Sequence, residues 1–346
     1  MVAEKSSDSN LPTTALPLLW DEDNEGLSQE CKDLIATLPT ERHLAMHKLY
    51  QYQGFWFPKI VLQALLNCQH HFQAHDSDIL LITSPKCGTT WLKALTFAIL
   101  NRKTHHPNPT RMPSSTTHPL LTANPHALVR TLETTLYTGQ TKPDLSLFSS
   151  SPRVFATHLP YVLLPESIKL SRCKIVYLCR NPKDQFISAW HFQNMIRPEI
   201  QESNKIEELF EQYCRGVGPY GPFWDHMLEY YKKSLENPNK IMFLRYEDMK
   251  GEPHRVLKDL AGFIGYGFSK EEEDDDIVGD ILRLCSFENL SNLKVNKSEK
   301  MPHGIENKAY FRRGEVGDWK NFLKFDMAEQ LDAIIQEKLE KHGLKF

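Results

Sequence analysis

Asp78-Ile79-Leu80-Leu81-Ile82-Thr83 runs directly into Ser84-Pro85-Lys86-Cys87-Gly88-Thr89-Thr90-Trp91. The first six residues are nearly all apolar, as in a strand covered on both faces, and show no alternation. Pro85 and Gly88 then shape a tight turn, and a helix is expected over about residues 89–101. The first backbone N–H groups of such a helix have no partner within it and carry the positive end of its dipole. A strand-to-helix turn of this kind therefore attracts an anion. Lys86 adds a full positive charge, and Thr89 and Thr90 add hydroxyl donors. This is phosphate-cradle chemistry, but the spacing is not that of the Walker loop G-x-x-x-x-G-K-[ST]. Here Lys86 precedes the only Gly of the turn.

Three further apolar runs read as buried strands: Arg153-Val154-Phe155-Ala156-Thr157, Lys174-Ile175-Val176-Tyr177-Leu178-Cys179 and Lys240-Ile241-Met242-Phe243-Leu244. Helices are expected over about 183–195 and 253–264. Another is expected over about 327–341, where Met327, Leu331, Ile334, Ile335 and Leu339 recur at helical spacing. Short apolar runs alternating with longer amphipathic stretches give an α/β fold. The expected arrangement is a single domain over residues 26–346, with a mostly parallel central sheet flanked by helices. Residues 1–25, rich in Ser, Thr, Pro and acids, read as a flexible leader. Residues 103–126 lack periodicity and read as a long surface loop of the kind that serves as a lid or binding loop. The acid run Glu271 to Asp276 follows Ser269, which with Glu272 forms a capping-box pattern; a solvated helix start accounts for it.

Composition narrows the function. The chain has 346 residues with 41 Lys+Arg against 44 Asp+Glu, a formal net charge of −3. That balance disfavours binding nucleic acid as a polyanion. Seven scattered cysteines, never in a C-x-x-C pair, argue against a disulfide framework or a zinc knuckle and fit a reducing compartment. No apolar run reaches the roughly 18 residues of a membrane span, and no signal peptide or lipid-anchor pattern is present. The expectation is a cytoplasmic protein without a membrane partner. No metal is implied: Arg180 stands where a Walker aspartate would end the 174–179 strand. His71 and His75 share a helix spacing but have no third ligand.

With these elements in place, Thr83 to Trp91 closely resembles the 5′-phosphosulfate loop of cytosolic sulfotransferases. Those enzymes transfer a sulfuryl group from 3′-phosphoadenosine 5′-phosphosulfate. The block Tyr177-Leu178-Cys179-Arg180-Asn181-Pro182-Lys183-Asp184-Gln185-Phe186-Ile187-Ser188 resembles the family's 3′-phosphate site. Phe311-Arg312-Arg313-Gly314-Glu315-Val316-Gly317-Asp318-Trp319-Lys320 is similar to its C-terminal G-x-x-G-x-x-K segment. The three blocks keep the family's order over about residues 30–346. The wording around them, Asn124-Pro125-His126 and Ala156-Thr157-His158-Leu159-Pro160-Tyr161, most resembles the plant branch.

The resemblance implies a P-loop-like strand–loop–helix in which Lys86, Cys87, Gly88, Thr89, Thr90 and Trp91 bind the donor. Arg180 and Ser188, with Arg312, Arg313 and Gly314, would hold the 3′-phosphate, and Tyr246, Cys285 and Phe287 would flank the nucleoside. Read alone, Arg180 fits a structural ion pair, as with Asp184, better than a ligand contact, and each aromatic fits a core position at least as well. His158 matches the family's Thr-His-Leu-Pro motif and is the expected general base. Lys86 would neutralise charge on the departing phosphate oxygen in an in-line displacement, with no covalent intermediate.

Three departures stand out. Cys87 occupies a position where many members have a small hydroxyl residue, which introduces a thiol that could make the loop reagent-sensitive. Ala156 stands where animal members often have Lys. The animal dimer signature K-x-x-x-T-V-x-x-x-E is missing around 296–307, so a monomer or weak homodimer is expected. A P-loop nucleotidase or small-molecule kinase is the alternative, and it requires Mg²⁺ and a Walker pattern that the sequence lacks. A silent binding protein on the same fold is disfavoured by the presence of both His158 and Lys86. The acceptor is expected to be a small hydroxylated metabolite. Plant relatives use flavonoids, hydroxyjasmonate, brassinosteroids and other phenols or alcohols. Gly54-Phe55-Trp56-Phe57, Tyr161 and Phe192 are candidate walls of its pocket.

Overall fold

A computed structural model describes residues 26–111, 117–148, 152–201, 205–302 and 304–346. The leader expected over 1–25 lies outside the described residues. Seven strands form two sheets among those that are described. β1 (Thr40–His43), β2 (His47–Tyr52) and β3 (Phe55–Phe57) make a small antiparallel sheet. β4 (Ile79–Thr83), β5 (Val154–Thr157), β6 (Lys174–Cys179) and β7 (Ile241–Arg245) make a parallel sheet in the order β5-β4-β6-β7. The expected α/β class holds, and all four expected strands are present.

Burial on both faces explains why those strands lack alternation. Leu80 and Ile82 of β4 point into one core layer with Phe57, Leu65, Phe72, Phe155, Tyr177 and Tyr230. Ile79 and Leu81 point into the other, with Leu92, Leu95, Ile99, Val176, Leu178 and Leu260. Successive side chains of a strand face opposite ways, so a strand between two helix layers must be apolar at every position. Each such side chain contributes about 1.5–3 kcal/mol by leaving water.

The register brings the C-terminal ends of the strands level. Ile82 lies opposite both Thr157 and Tyr177, and Leu178 opposite Leu244. The loops that follow β4, β5, β6 and β7 therefore open on one edge, where α/β sheets place ligands. The helices Thr89–Asn101, Pro182–Ile196, Pro253–Phe263 and Phe325–Lys338 match the expected ones within two or three residues. Asn181 starts the second of these by accepting from the Lys183 N–H at 3.0 Å.

Two expectations need correction. The 103–126 stretch is not a surface loop throughout. Residues 112–116 lie outside the described residues, but His118 and Leu120 are fully buried and Asn124 nearly so. Asn124 caps the short helix Pro125–Leu128 and donates to Asn296 Oδ1 at 2.8 Å, which ties this stretch to the far end of the chain. The acid run does start a helix, with both arms of the capping box on Ser269 formed. It is not merely solvated, because Glu272 also takes a 2.8 Å hydrogen bond from Arg102 Nε.

Candidate active site

The edge above the four parallel strands holds a cavity of about 480 Å³. Lys86, Gly88, Thr89, Thr90, Trp91, His158, Arg180, Ser188, Tyr246, Cys285, Phe287, Arg312, Arg313 and Gly314 all line it. The three sequence blocks, which are far apart in the chain, thus meet in one place. Cys87 is the exception. Its side chain is fully buried in the core, and its N–H bonds to Ser84 O at 3.3 Å. Burial pushes its thiol far up, which keeps the side chain in the unreactive protonated form.

The loop after β4 takes left-handed backbone at Lys86 (φ 70°) and Gly88 (φ 106°). A Cβ added at Gly88 would sit 2.8 Å from the Tyr246 ring, so the glycine allows that aromatic to close against the loop. Tyr246 in turn stands edge-on to Trp91 with centroids 5.7 Å apart, and the Arg180 guanidinium lies 4.7 Å above its ring. At the other end, Gly314 (φ 68°) plays the same part for Phe287, whose Cδ2 would lie 2.7 Å from an added Cβ.

Four cations, Lys86, Arg180, Arg312 and Arg313, line the cavity together. Burial pulls the Lys86 ammonium down to about 7, with Arg180 and Arg312 adding repulsion. The Arg180–Asp184 ion pair exists but is long, at 3.8 Å. Asp184 spends its oxygens on the backbone N–H groups of Gly317 (2.7 Å) and Trp319 (3.0 Å), which pins the C-terminal segment to the helix bearing Ser188. Asp318 accepts from Arg312 Nη1 at 2.5 Å and Arg313 Nη1 at 2.6 Å. Burial opposes its ionisation, yet hydrogen bonds from Asn321 and the two arginines bring its carboxyl down to about 2. Among the described residues, the buried Nε atoms of Arg180 and Arg312 have no hydrogen-bond partner. Orphaned cationic donors in a cleft are unusual without a ligand. Together with the Lys86 ammonium and the Arg313 guanidinium on the cavity wall, they fit an anionic ligand such as a nucleotide.

His158 follows β5. Its Nδ1 lies 2.7 Å from the carbonyl oxygen of Thr83. A carbonyl can only accept, so Nδ1 carries the proton and Nε2 keeps its lone pair. Burial pushes the ring's pKa down to about 4. The Thr83 bond works against that shift, and Lys93 and Lys86 reinforce it. The His158 backbone is held as well. Glu133 Oε1 accepts from the His158 N–H at 2.9 Å, and Glu133 Oε2 accepts from the Thr157 hydroxyl at 2.7 Å. Glu133, fully buried in the wide turn Leu132–Leu136, was not found from sequence. Nothing in Thr131-Leu132-Glu133-Thr134-Thr135 distinguishes it locally. Ala156 is buried and bridged to Thr131, so no cation enters the site from that position.

Thr134, Thr138, Phe192, Tyr213, Val217 and Tyr220 also line the cavity, and the Tyr220 ring packs edge-on to His158 with centroids 5.4 Å apart. Phe192 is where it was expected, with the Lys86 ammonium 3.8 Å from its ring centroid. The other expected walls do not line the cavity. Phe55, Trp56 and Phe57 form β3 and are buried in the core, and Tyr161 packs edge-on against Tyr230 at 5.7 Å.

Comparison with known proteins agrees with this geometry. The model of the sulfotransferase domain matches residues 76–343. Cytosolic sulfotransferase 5 of Arabidopsis thaliana is 49% identical over 323 residues, covering 93% of this chain and 98% of that one. A crystal structure of a putative steroid sulphotransferase from the same plant superposes with a TM-score of 0.71 at 42% identity, covering 92% and 98% of the two chains. Mouse sulfotransferase SULT7A1, complexed with PAP, superposes with a TM-score of 0.60 at 26% identity, covering 84% and 95%. The chain belongs to the sulfotransferase family. The nucleotidase alternative is not favoured.

Proposed function

We propose that the protein sulfates a hydroxyl of a small, largely apolar metabolite, with His158 as the general base. The observation that carries this reading is the Nδ1 contact to Thr83, which leaves Nε2 as the proton acceptor of a cavity-lining ring. The bound donor supplies the sulfuryl group. Every other requirement falls to the chain. Arg180, Ser188, Arg312 and Arg313 hold the 3′-phosphate through charge-assisted hydrogen bonds. Trp91, Tyr246, Cys285 and Phe287 flank the nucleoside. Lys86 offsets negative charge at the loop, and His158 takes the acceptor's proton.

The threonine and aromatic walls suit a flat acceptor with few polar groups, such as a flavonoid, a hydroxylated fatty-acid derivative or a steroid. The name of the 42%-identical plant structure supports the same class. A cytosolic location is supported by the names of the relatives, and among the described residues no helix is long and apolar enough to cross a membrane. Turnover without metal and a monomeric or weakly dimeric state complete the reading.

Thermal unfolding in EDTA tests it. Adenosine 3′,5′-bisphosphate should raise the midpoint, by about 2.7 kcal/mol of stabilisation at a hundredfold excess over Kd, whereas ADP should not. Equal responses to the two nucleotides would remove the 3′-phosphate site from the argument.

A further inference from the structure

One buried cation beside the cavity has no part in the reading above. Lys93, one turn into the helix Thr89–Asn101, is fully buried, although ammonium groups are rarely taken out of water without a role. Its Nζ lies 3.1 Å from His126 Nδ1 and 2.8 Å from Thr131 Oγ1. His126 Nε2 lies 2.9 Å from Thr90 Oγ1, and the imidazole stacks on Tyr310 with centroids 4.3 Å apart. Thr90, His126 and Thr131 all line the cavity.

With Lys93 protonated, these contacts set the direction of the chain. An ammonium only donates, so His126 Nδ1 accepts from Lys93. A neutral imidazole then carries its proton on Nε2 and donates it to Thr90 Oγ1. With a lone pair so engaged, the Thr90 hydroxyl has its own hydrogen to give, and Thr90 stands at the start of a helix where backbone donors already favour an anion. Were Lys93 neutral, the chain could run backwards, with Thr90 donating to His126 and turning an oxygen lone pair on the ligand.

We propose that Lys93, acting through His126, is a positioning residue that sets the Thr90 hydroxyl as a donor to the 5′ anionic group of the sulfuryl donor. The proposal rests on the sulfotransferase reading and adds a component to its loop. The titratable groups around Lys93 are Glu133, Arg130, His126 and His158. Burial brings the Lys93 ammonium down to about 7, with Glu133 opposing that shift and Arg130 adding to it. The polarity of the relay is therefore open to change in the neutral to mildly alkaline range, and loses its set direction as pH rises.

Calorimetric titration with adenosine 3′,5′-bisphosphate at pH 7 tests the relay on wild type, Thr90→Val, Lys93→Met and the double variant. Each single change should weaken binding about tenfold, and the double variant should be no weaker than the singles within about twofold, because both cut one chain. The decline in affinity between pH 7 and 9 should be shallower for Lys93→Met than for wild type, since Lys86 contributes equally to both. Wild-type affinity in Lys93→Met, or losses that multiply in the double variant, would overturn the relay. Should Lys93→Met fail to fold, His126→Phe breaks the same chain and enters the same cycle with Thr90→Val. A wild-type protein that does not bind the bisphosphate at all overturns the underlying reading instead.

Discussion

At His158 the tautomer decides the chemistry. A ring that donates through Nδ1 to a main-chain carbonyl cannot rotate its lone pair away from the cavity without losing that bond. His158→Ala should therefore lower kcat by about 10²–10⁴-fold while leaving affinity for adenosine 3′,5′-bisphosphate within about twofold; steady-state kinetics beside calorimetry would show this. The pH dependence carries a second signature. Burial holds the ring's pKa near 4, so the base form persists well below the usual histidine range. The acid limb of kcat/KM should lie near pH 4–5, whereas a limb near 6.5 would mean that the base is a solvated histidine elsewhere.

Among the elements, the C-terminal segment and the helix Pro182–Ile196 act as a pair through Asp184, which holds two backbone N–H groups of residues 133 and 135 positions further on. Asp184→Ala should leave the sheet intact, weaken bisphosphate binding about tenfold, and speed proteolysis within 312–319. Circular dichroism and limited proteolysis would register the two effects separately. The strand–loop–helix after β4 and the Arg180 block could be read from sequence because their signals are local: an apolar run, a turn and a charge within a dozen residues. β1 and β2 could not, because Thr40–His43 and His47–Tyr52 are mostly polar, and β3 (Phe55–Phe57) has only three residues. The turn from β1 to β2 also carries left-handed backbone at His47 (φ 57°), not a turn-forming residue type. The aromatic run Phe55-Trp56-Phe57 was misassigned to the cavity for the same reason, since apolarity does not say which side of a short strand faces a ligand. Glu133 and the Asp184 clamp arise from packing between distant segments, which no local pattern encodes.

For the molecule as a whole, the buried histidines set the acid limit. Burial lowers His43, His158 and His226 to about 4, so the unfolded chain binds more protons than the folded one between about pH 6.5 and 4. Stability is present above that window and is lost as pH falls through it. Thermal midpoints should drop steadily from pH 7 to 4.5; a flat profile would mean that these rings are protonated in the native state. The Asp184 clamp also bears on how the protein is made. The sheet and the loop after β4 come from the first 245 residues, but the nucleotide pocket closes only when Gly317 and Trp319 reach Asp184. A nascent chain can therefore bring its four parallel strands together on the ribosome and still lack the Arg312–Arg313 side of the cavity, because that side is fixed only by residues made 133 and 135 positions after Asp184.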